Sequence, residues 1–238
     1  MVSGIFLWGS VCDTMDLMKR ALLTSLTRRR LALALLLYCL PILLFAKLAQ
    51  EITGPSLVFD TALLHWIHGW ASPTWDRVAL IVTNFGSPEA TVGMTAFGVG
   101  GLWLLRRRRA AVVLMLGVGG AAIINTFLKL EFHRLRPSLW QPLVTEQSFS
   151  FPSGHAMVSS ALVCSVVYIL WHTRWRWWAI VAGGTSTVLI GLSRLYLGVH
   201  YPTDVLAGWT VGVIWVVIVR AVLLMSVRWW RQEPSDQG

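Results

Sequence analysis

Long apolar runs broken by short polar stretches set the architecture of this chain. The first run, residues 31–48, is long enough for a bilayer core of about 30 Å at about 1.5 Å of rise per residue, and Pro41 predicts a kink within it. Further runs cover about 90–105, 110–129, 152–171, 178–196 and 202–227. Residues 51–88 are less uniform. Leu57 to Trp70 mixes apolar residues with Asp60, His65 and His68 and reads as an interfacial helix. Trp75 to Thr83 is another short apolar stretch, closed by Asn84 to Pro88. The expected fold is all-α: a polytopic membrane protein with six transmembrane helices and an interfacial helical segment between the first and second. Residues 1–30 read as a cytoplasmic leader, 31–227 as the membrane domain and 228–238 as a polar cytoplasmic tail. The apolar patch Gly4 to Trp8 is too short to span and has no basic residue before it, so it makes a poor signal peptide; Met15 and Met18 are alternative starts to Met1.

Composition agrees with the pattern. Of 238 residues, 55% are hydrophobic and 13% charged, which is the profile of an integral membrane protein. A net charge of +9 raises the question of nucleic acid, but the basic residues cluster between apolar runs, as membrane orientation requires. No nucleic-acid partner is expected. With the N-terminus in the cytoplasm, most of the 20 basic residues fall on inside segments, Arg106 to Arg109 among them. The 14 Trp residues suit interfacial belts. Cys12, Cys39 and Cys164 indicate neither a disulfide framework nor a cysteine metal site.

On this topology three polar segments meet at the outer face. Lys129 to Pro137 leaves the third span, Phe149 to His155 enters the fourth, and Ser193 to Asp204 links the fifth to the sixth. Ionisable groups at span ends are costly unless paired or functional. Lys129, Arg136 and Arg194 would neutralise a phosphoryl group, with each Arg able to grip two oxygens. Pro152 reads as the first residue of a helix, which leaves the amides of Ser153 and Gly154 at a helix N-terminus as anion donors. His200 lies four residues before Asp204, which can accept a hydrogen bond from it and fix its tautomer. The other ring nitrogen is then free to attack phosphorus, and His155 would protonate the leaving alkoxide and later activate water. No carboxylate cluster is available to hold Mg²⁺, so a metal-independent mechanism without a cofactor is expected.

These stretches resemble the three-part signature of the type-2 phosphatidic acid phosphatase superfamily: K-x6-R-P, P-S-G-H and S-R-x5-H-x3-D. Here it reads Lys129…Arg136-Pro137, Pro152-Ser153-Gly154-His155 and Ser193-Arg194…His200…Asp204. The resemblance covers about residues 55–225. It implies a six-helix membrane core with its site at the outer face. His200 would be the nucleophile, oriented by Asp204, with His155 as acid–base. Phosphate contacts would come from Lys129, Arg136, Ser153, Gly154 and Arg194. The implied activity is hydrolysis of a lipid phosphate or diphosphate held in the bilayer, such as undecaprenyl diphosphate, phosphatidylglycerophosphate or phosphatidic acid. Alternatives on the same scaffold are a lipid phosphotransferase and a non-catalytic lipid-phosphate transporter or binding protein. Soluble vanadate-dependent haloperoxidases resemble the same site, but the apolar spans disfavour that reading.

Other polar residues have plainer readings. His65 and His68 could share a helix face as metal ligands, but Trp66 and Trp70 favour an interfacial role. His172, next to Trp171, reads as a cytoplasmic interface residue. Arg134 is open to two readings, substrate contact or lipid headgroup contact. Glu131 is expected to pair with a neighbouring Arg. Gly98, Gly100, Gly101, Gly117, Gly119, Gly120, Gly183 and Gly184 are expected to allow close helix packing.

Overall fold

In a computed structural model, residues 39–52 and 58–232 are described, and among them every regular element is a helix. The expected leader, residues 31–38 of the first apolar run and the last residues of the tail lie outside the described residues. Helix α1 occupies residues 39–51. Helices α2 (Val58–His68), α3 (Pro73–Asn84), α4 (Pro88–Leu104), α5 (Arg108–Phe132), α6 (Gly154–Leu170), α7 (Arg176–Tyr196) and α8 (Pro202–Gln232) follow. From Pro41 onward the described residues form one compact unit.

Local sequence explains the boundaries. Ser72 and Ser87 cap α3 and α4, accepting from the amides of Trp75 and Ala90, with Pro73 and Pro88 directly behind them. Helix α5 stops at His133, whose φ of 46° takes the left-handed conformation. The chain then crosses a long loop to α6. That helix begins at Gly154, with Ser153 as its N-cap, and the Phe151–Pro152 peptide is cis. Pro152 is therefore not the first helical residue, as the sequence suggested. The Ser153 amide donates outward to the Asp204 carbonyl at 3.0 Å, which holds this turn outside the helix.

Among the described residues three helices are long and apolar enough to cross a membrane: α5, α7 and the Pro202–Leu223 part of α8. Helix α6 is a shorter apolar helix of 17 residues. Large apolar side chains such as Phe97, Leu104, Phe127 and Val181 are exposed, as expected of surfaces that face lipid. The chain is an integral membrane protein.

Helix α6 is the central post. Helices α5, α7 and α8 pack around it, α4 packs on α5, and α3 packs on α7. Buried Ala121, Met157, Ala161, Val211 and Val216 form the seam among α5, α6 and α8. Small residues set the spacing. A Cβ added at Gly208 would meet the Ser153 carbonyl oxygen at 2.6 Å, and one added at Gly212 would run into Ser160 and the Met157 carbonyl. This pair, four residues apart, brings α8 against the backbone of α6. Among the glycines expected to pack, Gly98, Gly117, Gly120 and Gly183 do meet a neighbouring side chain, whereas Gly100, Gly101, Gly119 and Gly184 have open space around them.

Candidate active site

The ends of α5, α6, α7 and α8 bring polar residues together at one end of the bundle, beside a cavity of about 820 Å³ that is lined there by Lys129 of α5, Gly154 and His155 of α6, and His200 of the α7–α8 connection. Lys129 comes from the last turn of α5, Gly154 and His155 from the first turn of α6, and Arg194 from the last turn of α7. Asp204 is in the first turn of α8 and His200 lies just before it. Arg136 enters from the α5–α6 loop. Around His200 the cavity is polar, lined by Lys129, Glu146, Ser148, Gly154 and His155. Between α4 and α5 the walls become mostly apolar, with Val92, Ala96, Val99, Met115 and Val118.

His200 is almost wholly buried, with 1% of its surface exposed. Its Nδ1 lies 3.4 Å from Asp204 Oδ2 and 3.4 Å from Ser150 Oγ, while its Nε2 lies 3.2 Å from Arg136 Nη1. At 3.4 Å the carboxylate contact is long, and orientation comes from charge and from shared partners more than from one tight bond. Asp204 is itself fixed, since Oδ2 accepts from Ser150 Oγ at 2.5 Å and from the Tyr201 amide at 2.8 Å. Burial pushes His200 down to about 4, against the opposing pull of Asp204. The imidazole is therefore neutral at physiological pH, and a ring with Nδ1–H toward Asp204 carries its lone pair on Nε2, beside Arg136 Nη1.

The cations are held in place before any ligand arrives. Arg136 donates to the carbonyls of Ser148 at 2.8 Å and Val199 at 2.7 Å. Lys129 Nζ donates to Ser148 Oγ at 2.7 Å. Arg194 donates Nη1–H to Thr83 Oγ1 at 2.8 Å and pairs through Nη2 with Glu146. Glu146 also lies 3.6 Å from Arg136 Nη2. Burial alone would raise the Glu146 carboxyl, but the guanidiniums of Arg194 and Arg136 outweigh it and hold the group below the usual carboxylate range. Two buried polar atoms at the site have no protein partner, Arg194 Nε and Ser153 Oγ. Buried polar atoms are normally paired, so this pair marks a place for ligand oxygens.

A family model described as the PAP2 superfamily matches residues 110–228, half of the chain. The chain belongs to the PAP2 superfamily. Phosphatidylglycerophosphatase B of Bacillus subtilis (strain 168) is 31% identical over 153 residues, covering 62% of this chain and 75% of that protein. An undecaprenyl-diphosphatase of Sulfolobus acidocaldarius is 29% identical over 161 residues, covering 65% and 73%. The crystal structure of a transmembrane PAP2-type phosphatidylglycerolphosphate phosphatase from Bacillus subtilis superposes with a TM-score of 0.74 at 28% identity, covering 80% of this chain and 97% of that one. The Aquifex aeolicus LpxE structure shares the fold, with a TM-score of 0.60 at 22% identity. These relatives support a phosphoric ester hydrolase of the PAP2 lipid phosphatase family.

The eight residues expected from the sequence come together at this end of the bundle, and Lys129, Gly154, His155 and His200 among them line the cavity. Their detailed contacts differ in places from expectation. The Ser153 amide is occupied by the Asp204 carbonyl, so Ser153 offers its hydroxyl, while the first-turn amides of Gly154 and His155 have no acceptor within the helix. Arg134 is not among the residues lining the cavity and turns inward to Asp60 and Asp204. Among the described residues Glu131 makes no ion pair, and the brace on the arginines is Glu146 instead. His65 and His68 pack on Trp140, with the His68 ring stacked at 4.0 Å. The sequence reading also missed Ser150, Asn125 and Gly86. Asn125 Nδ2 donates to the Pro152 carbonyl at 3.1 Å, and its Oδ1 would lie 2.9 Å from a Cβ at Gly154, which leaves room only for glycine. A Cβ at Gly86 would lie 3.2 Å from His155 Cδ2. The one sequence signal for Glu146 was an isolated acid between two basic motifs.

Proposed function

We propose that this protein hydrolyses a phosphomonoester or diphosphate of a membrane lipid through a phosphohistidine on His200, without a metal or cofactor. The observation that carries this reading is the setting of His200 Nε2. It lies 3.2 Å from Arg136 Nη1, the His200 ring lines a polar chamber with Lys129, His155 and the Arg194-paired Glu146, and the chamber runs on into an apolar groove between α4 and α5. A lipid phosphate has the matching polarity, a multiply charged head on an apolar tail.

In the first step Nε2 forms a bond to phosphorus as the bond to the leaving oxygen breaks. His155 gives its proton to that oxygen. Lys129, Arg136, Arg194, the Gly154 amide and the Ser153 hydroxyl hold the equatorial oxygens, and such preorganised donors are usually the largest catalytic contribution. Asp204 steadies the ring as positive charge develops on it. In the second step His155 takes a proton from water, the water oxygen bonds to phosphorus, and the P–N bond breaks to return His200 and release phosphate.

The reading extends to topology. Six spans would comprise residues 31–48 together with α4, α5, α6, α7 and α8, and α2 and α3 would form the interfacial segment. Both termini would be cytoplasmic, with the site at the outer face and residues 31–227 as the catalytic membrane domain. The relatives named above direct the substrate search to undecaprenyl diphosphate and phosphatidylglycerophosphate, with phosphatidic acid alongside. The test is phosphate release by the purified protein in detergent with EDTA over that panel. At least one lipid should be turned over by the parent, and His200→Ala and His155→Ala should lose turnover while folding normally. Folded variants as active as the parent would refute the assignment.

A further inference from the structure

Behind the His200–Asp204 pair, a buried cluster joins residues that are far apart in the sequence. Arg134 splits its guanidinium between two carboxylates. Nη1 donates to Asp204 Oδ1 at 2.5 Å, and Nη2 donates to Asp60 Oδ2 at 2.9 Å. Thr203 stitches the two sides together. Its hydroxyl accepts from Arg134 at 2.7 Å and donates to Asp60 Oδ2 at 2.6 Å, and its amide donates to Asp60 Oδ1 at 3.1 Å. The Arg134 guanidinium also lies over the Tyr201 ring, 4.1 Å from its centre. Asp60 and Asp204 are 1% and 0% exposed. Placing a second carboxylate in an apolar bundle is costly unless it is paired, and here it is paired with the same Arg that grips Asp204.

We infer that Asp60 and Arg134 are positioning residues that tune the His200–Asp204 pair. Arg134 holds the Asp204 carboxylate in register and in its charged form. Asp60 offsets part of the Arg134 charge, so that the Asp204 carboxylate keeps enough negative character to support the imidazole. The inference rests on the assignment of His200 as nucleophile and Asp204 as its orienting group. It adds a helix, α2, that contributes no residue to the cavity around His200.

Other charged groups face the pair from the packed elements. On the cavity side stand Lys129 of α5, His155 of α6, Arg194 of α7, and Arg136 and Glu146 of the loop. Those five are common to the parent and to every variant below. On the far side stand Arg134, Asp60 and Tyr201, and the variants change only the first two.

The test compares Arg134→Gln with Asp60→Asn in the full-length protein, using the lipid phosphate that the parent turns over fastest. Each should lower kcat about 10–100-fold with KM within about threefold, by analogy with outer partners that orient catalytic imidazoles. The acid limb of the pH profile of kcat/KM should move in opposite directions. Removing Arg134 leaves the pair easier to protonate, so the limb rises by about one unit or more. Removing the Asp60 charge leaves Arg134 uncompensated, so the limb falls. A merely structural role would not give opposite signs. Stabilisation by inorganic phosphate in thermal unfolding checks that the cation cluster remains assembled. Should Arg134→Gln not fold, Asp60→Asn against Asp60→Glu decides: a lowered limb in the first and the parental limb in the second are expected. Parental kcat and limb in folded variants, or limb shifts of the same sign, would overturn the inference. His200→Ala is run beside them. If it stays active, the nucleophile assignment fails; if it is silent while the Asp60 and Arg134 variants match the parent, only this inference fails.

Discussion

Gly208→Ala puts one methyl group where the fold has no room. The new Cβ would sit 2.6 Å from the Ser153 carbonyl oxygen, 3.0 Å from Ala156 Cβ and 3.1 Å from the Met157 nitrogen. Ordinary contact begins at 3.4 Å, so the carbonyl must retreat by about 0.8 Å. Two of these three contacts are backbone atoms of the N-cap and first turn of α6, and no rotamer change can relieve them. The displaced segment is the one that presents the Gly154 and His155 amides, and Ser153 is tied to the Asp204 carbonyl. Overpacking of this kind costs about 1–3 kcal/mol. An active site displaced on the scale of 1 Å loses up to about 100-fold in rate. The control is Gly184→Ala, where an added Cβ meets nothing within 4 Å. It should be neutral or slightly stabilising, since alanine is the better helix former. Thermal unfolding in detergent and kcat on the preferred lipid phosphate read the two effects. If Gly208→Ala matches Gly184→Ala in both, the close approach of α8 to α6 does not set the site.

Three further outcomes follow from the same geometry. Glu146→Gln removes the carboxylate that braces Arg194 and Arg136, and should destabilise the free protein by about 2 kcal/mol; saturating inorganic phosphate should restore more stability to the variant than it adds to the parent, and equal phosphate shifts in thermal unfolding would contradict this. Asn125→Ala frees the Pro152 carbonyl and should lower kcat about tenfold, and Asn125→Asp, which cannot donate, should not rescue it; parental steady-state kinetics in either would count against the role. Because His200 is pushed down to about 4, its Nε2 lone pair persists as pH falls through 6.5 and is lost only near 4. The acid limb of kcat/KM, corrected for ionisation of the substrate, should therefore lie well below 6.5, and a limb at 6.5 would show a solvated imidazole.

The parts of this molecule that were legible in the sequence are those governed by local spacing. The positions of α4 to α8 follow from apolar run length, within a few residues at each end. Lys129 and Arg136 straddle the end of α5, and His200 and Asp204 stand four apart across the start of α8, so short stretches of chain already place them. The rest depends on partners far away in sequence. Arg134 looks like a headgroup or substrate contact until Asp60, 74 residues earlier, closes on it. Ser150 lies beside the P-S-G-H motif, but its partner Asp204 is 54 residues on. Gly208 and Gly212 were passed over in favour of eight other glycines, of which Gly100, Gly101, Gly119 and Gly184 have open space around them, because periodicity gives no information on which helix face meets another backbone. Pro152 suits the first helical position, but the bond from the Ser153 amide to Asp204 outweighs that preference.

The central claim is a covalent bond between phosphorus and His200. The direct measurement is a rapid quench during turnover of a lipid substrate labelled at the phosphorus to be transferred, followed by mapping of the labelled peptide. The account predicts a base-stable, acid-labile phosphoryl group on the peptide containing His200, formed at least as fast as turnover and absent from His200→Ala. Full turnover by the parent with no label on that peptide, or label on His155 instead, would contradict it.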